Sequence, residues 1–391
     1  MTQWLLKYGL NPHQGDAVAR LPDEADWLEV MNGQVGYINL LDALKAWTLA
    51  RELATTLGLP SATSIKHVHP AGAAVARATL NDAFRIANQL GDESPSPIAT
   101  AYVRARGGDR IASFGDFIGL SETVDESCAR VIAREVSDGI IAPAYAPGAI
   151  DILRKKKNGR FIILKADPSF VAKDPEVRRD HGLELQQAPN SAAITPALFH
   201  AAAGSTPIPQ RTIPDLQLAT IVAKHTPSNA VCVAYDGQAI GIGGGQQARI
   251  HATRSACEKA DLWRLQMHPR AAELVPVDGL TRTRRFNVVR QWLLWDELTD
   301  DERGDVDRST RHRPPPLTPA ERTSWLASPD MRVVMSSDGY IPFPDNVHRA
   351  ARSGVAVLAQ PGGSAQDAEV TAVADRAGIA MVHTGLRLFW H

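Results

Sequence analysis

Lysine and histidine stand side by side at Lys66 and His67, with a second histidine at His69, in the segment KHVHPAG. An imidazole can take a proton near neutral pH, and an adjacent ammonium can oppose negative charge developing on a reacting oxygen. A solvated cationic turn accounts for the trio equally well in isolation. KYGLNPHQG, residues 7–15, gathers Lys7, Tyr8, Asn11, His13 and Gln14 around Gly and Pro, the composition of a polar turn. GIGGGQQARIH, residues 241–251, packs four glycines into five positions ahead of two glutamines, Arg249 and His251. Such a run lets backbone approach a ligand, although it is neither GxGxxG nor a Walker loop. PGGSAQD, residues 361–367, lies between a predicted strand and a predicted helix. Amides at that helix start could hold an anion or a polar ring. The chain ends GLRLFWH, and so aromatic and apolar a terminus predicts docking rather than fraying.

Several chemistries are excluded. Zinc deamination needs H-x-E and P-C-x-x-C, and the sequence has neither. Cys128, Cys232 and Cys257 have no CxxC spacing, which argues against a disulfide framework and a cysteine-built zinc site. His67, His69 and His251 match no zincin spacing, so no catalytic metal is expected. Forty-two basic residues against 43 acidic ones give a net charge of −1, which predicts no general grip on nucleic acid or anionic lipid. No apolar run suits a signal peptide or a membrane span, and a cytoplasmic setting is expected.

The elements that must position these residues read as α/β. The chain has 391 residues, 44% apolar and 22% charged, enough for two or three folded domains. Leu40, Leu44, Trp47 and Ala50, with Leu41, Leu49 and Leu53 on adjacent rows, predict a helix over 39–57 that Gly58 and Pro60 stop. Two βαβ units are predicted: strand 140–141, helix 149–156 and strand 161–164, then strand 355–359, helix 366–376 and strand 379–382. A weak repeat aligns KHVHPAGAAV with KHTPSNAVCV, each followed by an aromatic turn, SFGDFIG at 113–119 and SSDGYIP at 336–342, then a helix. It implies two α/β halves, 1–195 and 196–391. The excess length of the second half predicts a helical insertion at about 255–330, ending in a solvated, mobile loop around 300–316. Thr318, Pro319 and Glu321 then supply an N-cap, N1 and N3 for a new helix.

Taken together, the motifs resemble one family. KYGLNPHQ, MNGQVGYINLLDALKAW, SIKHVHPAGAAVA, AYVRARGGDRIASFGDF, REVSDGIIAP, KHTPSNAVCVA, GQAIGIGGGQQARIHATR, DGYIPFPDNVHRAARSGV, AQPGGSAQDAEV and GLRLF resemble, in order, the formyltransferase part of AICAR transformylase/IMP cyclohydrolase. The resemblance spans residues 7 to 389 apart from 270–330. It implies two cytidine-deaminase-like three-layer α/β/α halves without zinc, and a homodimer whose active sites are shared between subunits. It implies formyl transfer from 10-formyltetrahydrofolate to the 5-amino group of AICAR (5-aminoimidazole-4-carboxamide ribonucleotide), giving FAICAR. His67 would be the base and Lys66 the transition-state stabiliser, with Asn229 holding the formyl group or the amine. Lys7, Tyr8, Gly115, Asp138, Arg249, Tyr340 and Arg387 would contact the nucleotide. Ile250, Asp345, Ser364 and Ala365 would contact the folate. Whether a structural monovalent cation binds stays open.

Four departures bear on the acceptor. The cyclohydrolase domain is missing from this sequence, so ring closure to IMP is not expected of it. Lys7 stands where arginine is usual, which removes a bidentate fork. His69 replaces the usual serine, and Tyr340 the usual phenylalanine. The alternatives are therefore the same transfer to another aminoazole carboxamide ribonucleotide, or a silent nucleotide-binding paralogue.

Overall fold

The computed structural model describes residues 2–21, 27–77, 80–91, 94–171 and 175–391. Among these residues, eleven strands form one mixed sheet. They are β1 (Leu28–Asn32), β2 (Ser61–Lys66), β3 (His69–Val75), β4 (Asp116–Leu120), β5 (Ser137–Ala142), β6 (Ile162–Ala166), β7 (Val231–Tyr235), β8 (Gln238–Gly243), β9 (Val333–Ser337), β10 (Val355–Gln360) and β11 (Ala380–His383). Their order across the sheet is β11-β10-β9-β7-β8-β3-β2-β4-β5-β6-β1. Most of the strands are buried on both faces because helices cover both, the edge strand β1 with its exposed Glu29 and Val30 excepted. Helix α1 (Tyr37–Leu57) buries Trp47, Leu49 and Leu53 on one face, beside α5 (Ile213–Lys224) with Leu218, Ile221 and Val222. The other face carries α2 (Pro97–Gly108), α3 (Glu126–Ala133), α4 (Pro147–Arg154), α6 (Arg249–Leu265), α10 (Asp345–Arg352) and α11 (Asp367–Arg376). The layering is α/β/α, as expected. Both βαβ units form, each in parallel register.

The principal elements recur in order. The run α1–β2–β3–α2–β4–α3–β5–α4–β6 is matched by α5–β7–β8–α6–β9–α10–β10–α11–β11, and the two runs meet where Gln238 of β8 pairs with Ala74 of β3. The aligned Lys-His pairs are not equivalent within this repeat. Lys66 ends β2 and His67 opens the β2–β3 turn, whereas Lys224 ends α5 and His225 caps it. The predicted turn at 113–119 overlaps β4, and the helix expected after it forms as α3, ahead of the βαβ unit.

Two expectations about 255–330 are corrected. The first ten or so of those residues belong to α6, which runs unbroken to Leu265. The segment around 300–316 is ordered. Helix α8 (Asp300–Arg308) starts at a Thr299–Glu302 capping box, Arg313 pairs with Asp307, and Thr310–His312 forms a small ribbon with Val275–Pro276. With α7 (Arg282–Leu293) and α9 (Pro319–Leu326) it encloses a satellite core that includes Val288, Trp292, Val306 and Leu317. The Thr318–Glu321 capping box of α9 forms as predicted.

A buried ion cluster ties this segment to the first half. Glu135 accepts from Arg106 at 3.1 Å, Arg110 at 3.3 Å and Arg282 at 3.0 Å, and Arg106 also holds Asp116 at 2.8 Å. Burial alone would raise the Glu135 carboxyl, but Arg110, Arg106 and Arg282 outweigh it and hold the group down at about 2. A depressed carboxylate stabilises the fold above its ordinary titration range and loses that contribution as pH falls toward the folded value. Between about pH 4.5 and pH 2 the chain is therefore expected to lose roughly 3 kcal/mol through this group. Denaturant melts across that range would measure the slope, and Glu135→Gln should flatten it.

Candidate active site

Sheet register puts every loop that carries a predicted site residue on one rim. Val231 at the start of β7 lies opposite both Gly243, the end of β8, and Ser337, the end of β9. β8 runs antiparallel to β3, so Gly243 lies toward His69, and His69 pairs with Lys66 across the β2–β3 hairpin. Ile65 opposes Phe117, and Asp116 opposes Ser137, which brings the starts of β4 and β5 to the same rim. In open α/β sheets ligands bind outside the carboxyl ends of the strands, and β9 and β10 present their carboxyl ends at this rim, whereas β4 and β5 present their amino ends.

Toward one end of the rim is a pocket of about 450 Å³ lined by Asn229, Arg249, Ile250, Tyr340, Asp345 and Arg387, together with Gln247, Pro342, Phe343 and Phe389. Six of the predicted residues meet there. Arg249, in the first turn of α6, is buried and ion-paired with the fully buried Asp338. It donates to Asn229 Oδ1 at 2.6 Å. Asn229 Nδ2 donates to the Gln246 and Gln247 carbonyls at 2.7 and 3.2 Å. Both amide hydrogens of Asn229 are thus engaged, and its Oδ1 retains one lone pair. Gly339 lets the chain pass over this cluster, since a Cβ there would lie 2.4 Å from Arg249 Nη2. The C-terminal tail is docked, as its composition predicted. Leu388 N–H donates to Asp338 O, Ser228 N–H donates to Trp390 O, and the Lys45 ammonium lies 3.4 Å from the Trp390 ring centroid.

Lys66, His67, Gly115, Asp138, Lys7 and Tyr8 lie along the rim on the other side of β8. Lys66 donates to the Phe114 carbonyl, in the turn that Ser113 and Asp116 anchor through Ser64. A Cβ on Gly115 would lie 3.9 Å from the Asp138 carboxylate, which pairs with Lys157. His67 is exposed, and His69 Nδ1 donates to the His67 carbonyl at 2.7 Å. Lys7 and Tyr8 are exposed beyond β1. Their backbones bond to Val35 and Tyr37, and the Tyr8 ring packs against Gly36. Ser364 and Ala365 lie on the loop between β10 and α11 and do not line the pocket. The sequence model of the AICARFT/IMPCHase bienzyme family matches residues 2–259.

The chain belongs to that family. It is 31% identical over 394 residues to a protein of Sorangium cellulosum named "Bifunctional purine biosynthesis protein PurH", covering 99% of this chain and 58% of the relative. It is 30% identical over 390 residues to the protein of that name from Roseobacter denitrificans, covering 99% and 59%. The chain therefore spans under two thirds of the length of these bienzyme relatives. Within this family member, two buried carboxylates escaped the sequence reading. Asp338 orients Arg249 and lies in the SSDGYIP turn already singled out. Asp42 sits on the same face of α1 as Ala46, Leu49 and Leu53, where a carboxylate on an otherwise apolar row was the available signal.

Among the described residues, no helix is long and apolar enough to cross a membrane.

Proposed function

We propose that this chain transfers a formyl group from 10-formyltetrahydrofolate to the 5-amino group of AICAR, giving FAICAR. The observation that carries this reading is the pocket that joins Asn229 and Arg249 to Tyr340, Asp345 and Arg387, on the same rim as Lys66 and His67. The acceptor amine is weakly nucleophilic because its lone pair is delocalised into the imidazole ring and its carboxamide. His67 takes a proton from it as the nitrogen bonds to the formyl carbon. Lys66 keeps two N–H donors beyond the one given to Phe114, and these oppose the charge on the formyl oxygen. The bond from that carbon to the folate nitrogen then breaks, and the nitrogen leaves with a proton. Asn229, with only an acceptor lone pair unused, suits the amine rather than the formyl oxygen. Arg387 and Lys7 suit the phosphate. Aromatic and apolar walls from Ile250, Pro342 and Phe343, with the exposed Asp345 carboxylate among the lining, fit a flat folate ring bearing N–H donors.

The spacing of the two groups supports a homodimer with shared sites. β9, which leads to Tyr340, and β5, which carries Asp138, are six strand steps apart, roughly 29 Å at about 4.8 Å per step. One nucleotide does not bridge that span within one chain. A two-fold partner can lay one copy's pocket against the other's Lys66–His67 turn. The ribbon of Glu176–Asp180 and Leu183–Gln187, exposed throughout with Val177, Leu183 and Leu185 uncovered, suits burial against a second copy.

A single-turnover assay with AICAR and 10-formyltetrahydrofolate, with the product identified by mass, tests the reaction. No FAICAR from AICAR but a formylated analogue would favour the second reading, another aminoazole carboxamide ribonucleotide, which the Tyr340 hydroxyl at the pocket motivates. No product from any acceptor, with nucleotide still bound, would leave a silent paralogue. If AICAR is the acceptor, Lys7→Arg should be tolerated, because the exposed Lys7 binds as a point charge and arginine restores a fork. A tenfold or greater loss of AICAR affinity by calorimetry would show a re-tuned pocket.

A further inference from the structure

The turn that carries His67 has a conformation its own residues do not favour. His67 has φ +53° and Val68 φ +64°. A two-residue hairpin connection with both φ values positive is the type I′ class, which Asn-Gly and Gly-Gly fill most readily. A β-branched residue at positive φ is an outlier that persists only where its surroundings over-determine it. Two contacts do so here. The Val68 N–H donates to Asp42 Oδ1 at 2.6 Å, and His69 Nδ1 donates to the His67 carbonyl at 2.7 Å. Asp42 is 7% exposed, on the buried face of α1 among Ala43, Ala46 and Trp47, and so is fixed to a rigid element. Burial pushes its carboxyl up, and the Val68 N–H and the nearby His67 oppose that rise. His69 also reaches the second half of the chain. A Cβ on Gly245 would lie 3.5 Å from its Nε2, and Gly245 precedes the Gln246 carbonyl that holds Asn229.

We propose that Asp42 is the positioning residue for His67, holding the strained turn so that the imidazole is presented at the rim, with His69 clamping the turn's other side. The proposal rests on the reading of His67 as the base. A base misplaced by about 1 Å can cost on the order of 10²-fold in rate. Asp42 touches the turn's backbone, so its loss should appear in kcat rather than in acceptor binding.

Asp42→Ala is expected to lower kcat roughly 10- to 100-fold with KM for the acceptor within about threefold. Asp42→Asn keeps a carbonyl acceptor in place and should recover most of that loss. Should Asp42→Ala fold poorly, Asp42→Ala/Val68→Gly removes the larger, β-branched share of the positive-φ penalty and restores folding, while leaving the turn unanchored and kcat low. Hydrogen exchange at the Val68 amide supplies a readout independent of activity. It should be protected in the wild type and in Asp42→Asn, and exchange at least about tenfold faster in Asp42→Ala. Unchanged Val68 protection in folded Asp42→Ala overturns the proposal, as do an unchanged kcat or a loss confined to KM. An Asn variant as impaired as the Ala variant overturns it too, because the anchoring acceptor would then not matter. If the wild type formylates no acceptor, the functional reading fails by itself, and the exchange data still decide whether Asp42 holds the turn.

Discussion

His67→Ala is expected to lower formyl-transfer turnover by about two to four orders of magnitude, the usual contribution of a general base. The fold should be little changed. His67 is exposed on a hairpin turn, and its backbone contacts to His69 and the Val68 contact to Asp42 do not involve its ring. Stopped-flow or single-turnover rates beside a thermal melt would separate the two effects. A near-wild-type rate would remove His67 from the mechanism and leave Lys66 and the substrate's own carboxamide to handle the proton.

The second large effect is a gain of activity. His67→Ala and Asn229→Ala alter the two rim groups, one just after β2 and one just before β7, strands three steps apart in the sheet. If each site takes its pocket from one subunit and its Lys66–His67 turn from the other, each variant alone is nearly inactive. Co-refolding the two should then create heterodimers in which one of the two sites is intact. With random pairing by a two-fold operator, about a quarter of wild-type activity is expected to return. Recovery by mixing should increase turnover over either parent by at least about tenfold. No recovery, with exchange of subunits confirmed by native mass spectrometry, would place a complete site within each chain.

The sequence by itself determined whatever depends on contacts between near neighbours. The apolar rows of α1, the Thr318–Glu321 capping box, and the strand–loop–helix around PGGSAQD could each be read because helix and cap energetics act over three or four residues. The motifs also declared the family, since ten ordered segments carry more information than any one of them. Helix α8 was missed because its charged composition resembles a solvated loop, and only Val306 enters the satellite core. Its capping box, Thr299 to Glu302, was legible by the rule that found α9. Sheet order was not legible. Which strand lies beside which is decided by burial on both faces at once, and that placed Lys224 and His225 at a helix end rather than in a hairpin. Only the tertiary structure brought Arg249, Asp338 and Asn229 together from three separate segments. Only it set the pocket and the Lys66–His67 turn apart along one rim, and put Asp42 beneath a turn 26 residues away in the chain. These are long-range contacts, and the physical reason they escape the sequence is that no local energy term records them: each exists because the packed layers hold distant backbone at a fixed separation.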